Sequence, residues 1–331
     1  MLRNRKDLLT TKILDSIPKS IKPIEYLIKI LEISKESAYR RLRGDIPFTF
    51  EEMSRLSLDL DFSMDELIAK PGETRVLVNM QTGTSDDPST VFSKKFEQYY
   101  KFLLHLEDYP NVETIFTLNH IPMIASVYFK DLFKFFYFKW LHKNHETSLR
   151  LNYSDVFLSD EIEELRKKVR FTTLNCSNKI TLILDSNFFV SLMSEIQYYH
   201  RRRLVDDKDY EILKNDVLGF VEMLETSAQT GIFGQNARMR IYLSSINIEA
   251  DTVYAKYSGN ETSFIYTFSI IPIKITNSAI GEKHKKWIDS IKKYSTLITQ
   301  SNEMLQTEYF DKQREFTNFP RSDNFNFRSL Y

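Results

Sequence analysis

The side chains best suited to chemistry lie in one short basic segment, KESAYRRLRG, at residues 35–44. Arginine can pair with guanine through two hydrogen bonds, and glutamate can accept a hydrogen bond from cytosine. If the segment is a helix whose Ala38 and Leu42 face a small core, other side chains point away from that core. Those that point towards base edges are Glu36, Ser37 and Arg40. Those better placed for phosphates, which set affinity and register, are Lys35, Tyr39, Arg41 and Arg43.

The positive charge of the chain is concentrated around this segment, although the whole chain is neutral. Residues 1–45 contain 11 Lys/Arg and 6 Asp/Glu, a net charge of +5, whereas residues 46–70 contain 2 and 6, a net charge of −4. Phosphate contact requires a local basic face of this kind. Charge alone leaves a second interpretation open, in which 34–44 is a solvated basic helix of an ordinary bundle.

Short helices must position these residues. Apolar spacing and end signals predict helices at 5–17, from Pro23, at 35–42, at about 50–60, and after Ser63, the last with Met64, Leu67 and Ile68. Ser34 can cap the third helix, Gly44 can end it, and Thr49 precedes the fourth. Residues 1–70 are therefore predicted to form an all-α domain of five helices.

The segment from Ile24 to Ile68 resembles the phage-repressor-type helix-turn-helix, the xenobiotic-response-element family. Leu27 and Leu31 resemble the apolar positions of its first motif helix. Residues 38–44, AYRRLRG, resemble its recognition helix running to a terminal glycine. The resemblance implies that this helix enters the major groove of double-stranded DNA.

Two residues depart from the pattern of that family. Ile28 stands where the family usually has a small residue, which implies a wider gap between the two motif helices. Glu32 stands where a turn glycine is common, which implies a strained or altered turn. Both departures favour, slightly, a helix-turn-helix that has lost DNA binding and serves protein contacts.

Composition narrows the class of protein. Hydrophobic residues make up 42% and aromatic residues 14%, against 8 glycines and 9 prolines, which argues against disorder and against a turn-rich β-sandwich. The sequence has no glycine-rich phosphate loop and no nucleophile elbow. A single cysteine, no signal-peptide pattern and no stretch of about 20 apolar residues lead us to expect a cytoplasmic protein without membrane contact.

Residues 71–89 are rich in turn formers and are predicted to link the first domain to a second one at 90–331. Helices are predicted at 90–107, 129–143, 159–169, 187–203, 206–229, 280–294 and 302–316. Strands are predicted at 112–118, 180–185, 238–245, 251–258, 263–270 and 272–276. Because the last four strands follow one another, with a hairpin turn at Gly259-Asn260, we expect an α+β domain with an antiparallel sheet.

Two histidine-containing runs in the second domain could bind a ligand. The first ends a long apolar helix and consists of His200, Arg201, Arg202 and Arg203. Its cations suit an anionic effector or further phosphates, and they equally suit the negative end of a helix dipole. In the second, His142 and His145 lack the spacing of a zinc site, so we expect no metal there.

The helix predicted at 129–141 is unusually aromatic. Seven of its residues form one apolar face, and Phe135 and Phe138 are left on another side. Exposed aromatic rings that lie close together mark interfaces, so we expect these two to contact a second copy of the chain in a homodimer. Packing in the core of the same chain is the alternative.

Together these patterns predict a one-component transcription regulator that is not an enzyme and needs no cofactor or metal. Its expected partners are double-stranded DNA, a second copy of the chain, and an unidentified small-molecule or protein effector. Two alternatives remain. One is a protein-interaction module with a degenerate helix-turn-helix, and the other is an enzyme in the second domain whose DNA binding is autoregulatory.

Overall fold

The chain folds into two units, Met1–Val78 and Asn79–Tyr331, and their boundary falls inside the segment predicted as a linker. The computed structural model describes residues 5–17, 21–60, 62, 64, 87–143, 147–186, 188–268, 271–276 and 278–318.

Helices make up the described part of the N-terminal unit. They are α1 (Arg5–Ser16), α2 (Pro23–Leu31), α3 (Lys35–Leu42) and α4 (Phe50–Asp59). The helices predicted at 5–17, 35–42 and about 50–60 are thereby confirmed to within one residue at each end, and the second begins at Pro23 as predicted. The fifth predicted helix lies outside the described residues apart from Met64.

Local end signals explain why these helices begin where they do. Pro23 occupies the first turn of α2, where its missing N–H costs no hydrogen bond. The Ser34 hydroxyl accepts a hydrogen bond from the Ser37 N–H at 3.2 Å and caps α3. Thr49 and Glu52 form a reciprocal capping box at the start of α4, with N···O distances of 2.9 and 3.2 Å.

The N-terminal helices bury a small apolar core of their own. Its buried members are Leu9, Ile13, Ile17, Tyr26, Leu27, Leu31, Ala38, Leu56 and Phe62. Ala38 is the one residue of α3 that is fully buried, so the other side chains of this short helix remain on or near the surface. This arrangement leaves most of α3 available for contacts outside the domain.

The C-terminal unit combines helices with a sheet. Its helices are α5 (Pro88–Glu107), α6 (Lys130–His142), α7 (Asp160–Asn175), α8 (Val190–Arg201), α9 (Asp207–Thr230), α10 (Ser278–Lys292) and α11 (Glu303–Asn318). Its strands are β1 (Glu113–Leu118), β2 (Lys179–Leu184), β3 (Ile232–Phe233), β4 (Ala237–Ser244), β5 (Thr252–Tyr257), β6 (Asn260–Phe268), β7 (Ile271–Ile275) and β8 (Ser295–Leu297). The predicted elements are confirmed. The sequence missed β3 and β8, which are too short to show an alternating pattern. Within the described residues, none of the helices is both long and apolar enough to cross a bilayer.

The α+β class is confirmed, but the sheet is mixed and not purely antiparallel. The strand order is β3-β4-β2-β1-β5-β6-β7, and β8 also pairs with β4. The strands β4, β2 and β1 are parallel neighbours, because long helical connections separate them in sequence. Strand β5 follows β4 in sequence but pairs with β1, so that β2 and β1 lie between β4 and β5 in the sheet. The β5–β6 hairpin is present, and its turn is Ser258-Gly259, one residue earlier than predicted.

Helices cover both faces of the sheet, as the alternation along β2 illustrates. Leu182 and Leu184 face the large core shared with α5–α9 and α11. Ile183, between them, faces a smaller cluster with Ile288 and Ile291 of α10. Parallel strands with both faces buried are typical of such layered domains.

The structure also corrects the assignment of Phe135 and Phe138 on α6. Both side chains are 0% exposed within a single chain, so neither ring is free to contact a second copy. The Phe138 ring lies 5.0 Å from the Tyr199 ring and 5.7 Å from the Tyr153 ring, centroid to centroid. The sequence misled us because α6 packs against other elements on more than one side, whereas the amphipathic pattern assumes a single buried face.

Candidate nucleic-acid interface

The turn between α2 and α3 contains a left-handed residue that is not glycine. Glu32, which follows the last residue of α2, adopts a left-handed conformation with φ 55° and ψ 38°. Glycine takes this conformation without strain, whereas a residue with a Cβ atom is disfavoured there by about 1–2 kcal/mol. The sequence therefore departs from the family pattern in residue type, but Glu32 keeps the left-handed conformation of the turn in spite of the strain.

The second departure, Ile28, is accommodated at the edge of the core. Its side chain is half-buried and packs beside the apolar cluster that contains Leu27 and Ala38. A larger residue than the family usually has is therefore accommodated by packing against this cluster.

One row of side chains runs along the outer face of α3. Lys35, Tyr39 and Arg43 follow one another at intervals of four residues, which places them on one side of the helix. Together with Glu36 they line a shallow surface depression. Arg40 is also exposed. Five of the seven residues predicted for DNA contact are thus exposed on or directly after α3, and Ser37 is half-buried.

The seventh residue, Arg41, is held inside the domain. Its guanidinium donates to both carboxylate oxygens of Glu52 on α4, with Nε···Oε2 at 2.9 Å and a second N···O distance of 2.6 Å. The two side chains are only 12% and 15% exposed. The sequence placed Arg41 towards phosphate, and the structure instead uses it to join α3 to α4.

Glu52 was missed as part of this site, although the sequence carried a signal for it. The capping-box pattern Thr49-x-x-Glu52 fixes the carboxylate at the first turn of α4. Burial acts to raise the pKa of the Glu52 carboxyl, but hydrogen bonds from Arg41 and Thr49 outweigh burial and hold the pKa below its ordinary value. Glu52 therefore stays charged and keeps Arg41 in place.

The C-terminal end of α3 is closed by Gly44. This residue has φ 79°, and the Asp45 N–H beyond it donates to the Arg40 carbonyl at 2.9 Å. Arg43 and Asp45 form an ion pair at 3.4 Å on the surface, with both side chains about half exposed or more. Such a pair contributes at most about 1 kcal/mol, so Arg43 can readily exchange it for an external anion.

Residues 7–86 match the BetR domain. This is a helix-turn-helix-like DNA-binding domain, and the match includes α2, the turn and α3. The N-terminal part of the chain is therefore a DNA-binding helix-turn-helix domain. The BetR match does not single out the phage-repressor class. No curated protein and no solved structure matches the chain.

Outside the BetR match, the run at the end of α8 is tied into its own surroundings. The His200 Nε2 atom lies 2.9 Å from an Asp207 carboxylate oxygen. Arg202 donates to the Tyr198 hydroxyl at 3.2 Å and to the Leu149 carbonyl at 3.1 Å. Arg201 and Arg203 are exposed, so an anion contact at this run stays a prediction.

In the other histidine run, His142 has a structural role. The His142 Nε2 atom lies 2.9 Å from the Leu151 carbonyl oxygen, and its ring lies 4.5 Å from that of Phe138. His145 and Glu146 fall outside the described residues. Across the described ranges, no group of three His, Cys, Asp or Glu side chains could hold a metal ion.

Proposed function

We propose that this protein is a one-component transcription regulator of the phage-repressor type. In this proposal α3 reads double-stranded DNA, and the C-terminal unit senses a signal, dimerises, or does both, without catalysis. The observation that carries the proposal is the exposed row Lys35, Tyr39 and Arg43 on α3, within a segment that matches a DNA-binding domain. A helix of this length fits the major groove.

The exposed residues of α3 divide into two roles. Arg40 and Glu36 take the base edges, because arginine recognises guanine and glutamate accepts from cytosine. The half-buried Ser37 stays a candidate for the same role. The row Lys35, Tyr39 and Arg43 takes phosphates, which fixes the register of the helix on the duplex.

Arg41 has a different role in this proposal. Because its Nε and one terminal nitrogen donate to Glu52, and its other terminal nitrogen donates to the Ser37 carbonyl at 3.5 Å, it acts on DNA only through the position of α3. We therefore assign Arg41 and Glu52 as positioning residues, which set the angle at which α3 meets the groove.

The regulator is further proposed to act as a homodimer. One helix-turn-helix domain reads only a few base pairs, while a genome offers about a million or more competing sites. Such domains usually overcome this by binding twofold half-sites about one DNA turn apart. The burial of Phe135 and Phe138 means that the dimer contact uses other surfaces. Sedimentation of the full chain at micromolar concentration tests this part, and a monomeric mass contradicts it.

DNA binding is tested with duplexes selected from genomic fragments and measured by fluorescence anisotropy. We expect salt-sensitive binding by the full chain, and we expect Arg40→Ala to weaken the selected site by about 1–3 kcal/mol. Arg150→Ala is the matched control, because Arg150 is an exposed arginine of the C-terminal unit. A chain without salt-sensitive DNA affinity would instead support the protein-interaction module.

A further inference from the structure

A cavity of about 580 Å³ lies in the C-terminal unit where the parallel strands end. Because β4, β2 and β1 are parallel, their carboxyl ends lie along one edge of the sheet, and β5 must start at that same edge. The connection 245–251 therefore has to pass over the ends of β2 and β1. Ligands of layered α/β sheets bind in crevices at this edge, and the volume is in the range of small-molecule sites.

Hydrogen bonds fix the connection over the strand ends. The Ile248 N–H donates to Asp185, directly after β2, at 3.2 Å. Asn119, directly after β1, donates its side-chain amide to the Ile248 carbonyl at 2.9 Å. The Asn119 N–H donates to Asp251 Oδ1 at 2.8 Å. The floor of the cavity is thus a preformed surface that holds two buried carboxylates, those of Asp185 and Asp251.

The Oδ2 atom of Asp251 has a close ionisable neighbour at this floor, the exposed His120 ring, with which it forms no hydrogen bond. Asp251 is 3% exposed, and its Oδ2 atom accepts no hydrogen bond from the described part of the chain. His120 Nδ1 approaches Oδ2 to 2.8 Å, but its hydrogen bond is with Asn119 Oδ1, at 2.6 Å. Buried carboxylate oxygens are almost always paired with a donor. His120 is 54% exposed, so its ring can swing away and open Oδ2 to a ligand.

The facing wall comes from α6 and α8. Lys139 is the buried cation of this wall, and it donates to the Glu195 carboxylate, which neutralises its charge. The rings of Phe136, Trp140 and Tyr266 supply the apolar lining. The wall therefore offers aromatic surface without an unpaired buried positive charge, which would have attracted an anion.

We propose that this cavity binds a small organic molecule with a primary ammonium group and an apolar body. The ammonium donates to Asp251 Oδ2, and the body lies against Phe136 and Trp140, where a cation is also favoured by the aromatic faces. That the cavity is the sensing site of the regulator rests on the proposed function, but ligand binding is measured without DNA. An absence of ligand binding and an absence of DNA binding are therefore separate results.

Trp140 links the cavity to the point where the chain enters this unit. Its indole N–H donates to the carbonyl of Pro88, the first residue of α5, at 2.9 Å. Helix α5 follows directly on the segment that joins the two units. A ligand packed against this ring is thus one hydrogen bond away from the first residue of α5.

Tryptophan fluorescence of the full chain reads this site. The chain has two tryptophans, and Trp287→Phe leaves Trp140 as the reporter in the cavity wall. The probes are 2-phenylethylamine, its neutral counterpart 2-phenylethanol and the anion 3-phenylpropionate, with hexylamine and cyclohexylmethylamine as further amines. We expect saturable binding of amines, with the alcohol and the carboxylate weaker by about tenfold or more.

Two variants locate the binding. Asp251→Asn keeps the shape and the Oδ1 acceptor, and it should weaken amine binding by about tenfold or more while leaving alcohol binding unchanged. Asp289→Asn, at an exposed acid of α10, is its matched control. Ser191→Phe fills the cavity from an exposed position on α8 without adding a tryptophan and should abolish binding, and an unchanged thermal midpoint shows that it folds. Any of three results overturns the proposal. They are equal binding of the three phenyl probes, unchanged amine binding by Asp251→Asn, and no saturable response to any amine at about 10 mM. Even a site with a millimolar dissociation constant is filled at that concentration.

Discussion

Arg41 and Glu52 form a two-pronged contact that joins the exposed helix α3 to the helix behind it, with N···O distances of 2.9 and 2.6 Å. Because both groups are largely buried, removing one leaves the other charge without a partner. We expect Arg41→Ala to destabilise the N-terminal unit by about 3 kcal/mol, and the double variant with Glu52→Gln to cost less than the sum of the single changes. Both tryptophans of the chain, Trp140 and Trp287, lie in the C-terminal unit, so tryptophan fluorescence does not report on the N-terminal unit. Amide hydrogen exchange across α3 and α4 measures the loss of stability instead. Additive effects would contradict the coupling.

The same contact predicts a pH dependence. The pKa of Glu52 is lowered from its ordinary value of 4.5, so the folded state favours the charged form. The stability that this charge contributes is present above about pH 4.5 and is lost as the pH falls through the lower pKa of the folded state. Protection factors across α3, which correct for the slower intrinsic exchange of amides at acid pH, should fall in that acid range, and Glu52→Gln should remove this part of the dependence. An identical acid profile in Glu52→Gln would show that other carboxylates carry it.

The row on α3 predicts how salt affects DNA binding. Lys35→Ala and Arg43→Ala should weaken binding about equally at selected and random duplexes, because phosphates carry no sequence information. Each change should reduce the slope of log affinity against log salt by about one, since each removes one phosphate contact. Lys101→Ala, at an exposed lysine of α5, provides the matched charge control. A change in sequence preference with an unchanged slope would place these side chains on bases instead.

The strained turn at Glu32 predicts a stabilising substitution. Glu32→Gly should raise the free energy of unfolding of the N-terminal unit by about 0.5 kcal/mol, because relief of left-handed strain outweighs the added freedom of the unfolded chain. Glu32→Ala removes the same charge but keeps the Cβ atom, so it should give no gain. Exchange rates across α2 and α3 compare the three chains. A gain with alanine equal to that with glycine would assign the effect to charge.

The burial of Phe138 predicts a large loss of stability on truncation. Phe138→Ala should cost the C-terminal unit about 3–5 kcal/mol, as is usual for a fully buried ring. Phe171→Ala, at a ring that is 70% exposed, should stay within about 0.5 kcal/mol of wild type. Urea unfolding followed by tryptophan fluorescence measures both. A small loss at Phe138 together with a shift in oligomeric mass would restore it as a dimer contact.

The sequence by itself determined the local elements. The helix ends at Ser34, Gly44 and Thr49 follow from hydrogen bonds between residues only a few positions apart, so they are legible without any tertiary information. The strands longer than three residues were also located, because apolar runs and alternation are properties of adjacent residues. The exposed face of α3 followed from the positions of Ala38 and Leu42.

Only the tertiary structure decided which distant residues meet. Strand β5 pairs with β1 and not with its sequence neighbour β4, and this makes the sheet mixed and brings Asn119, Asp185 and Asp251 to one edge. Arg41 was predicted to contact phosphate and is instead the partner of Glu52. Phe138 was predicted to lie at the surface and is instead in the core. Each outcome depends on long-range packing, in which several elements compete for the same side chain. The periodicity of a single helix or strand does not encode that competition, because it contains no information about the element on the other side.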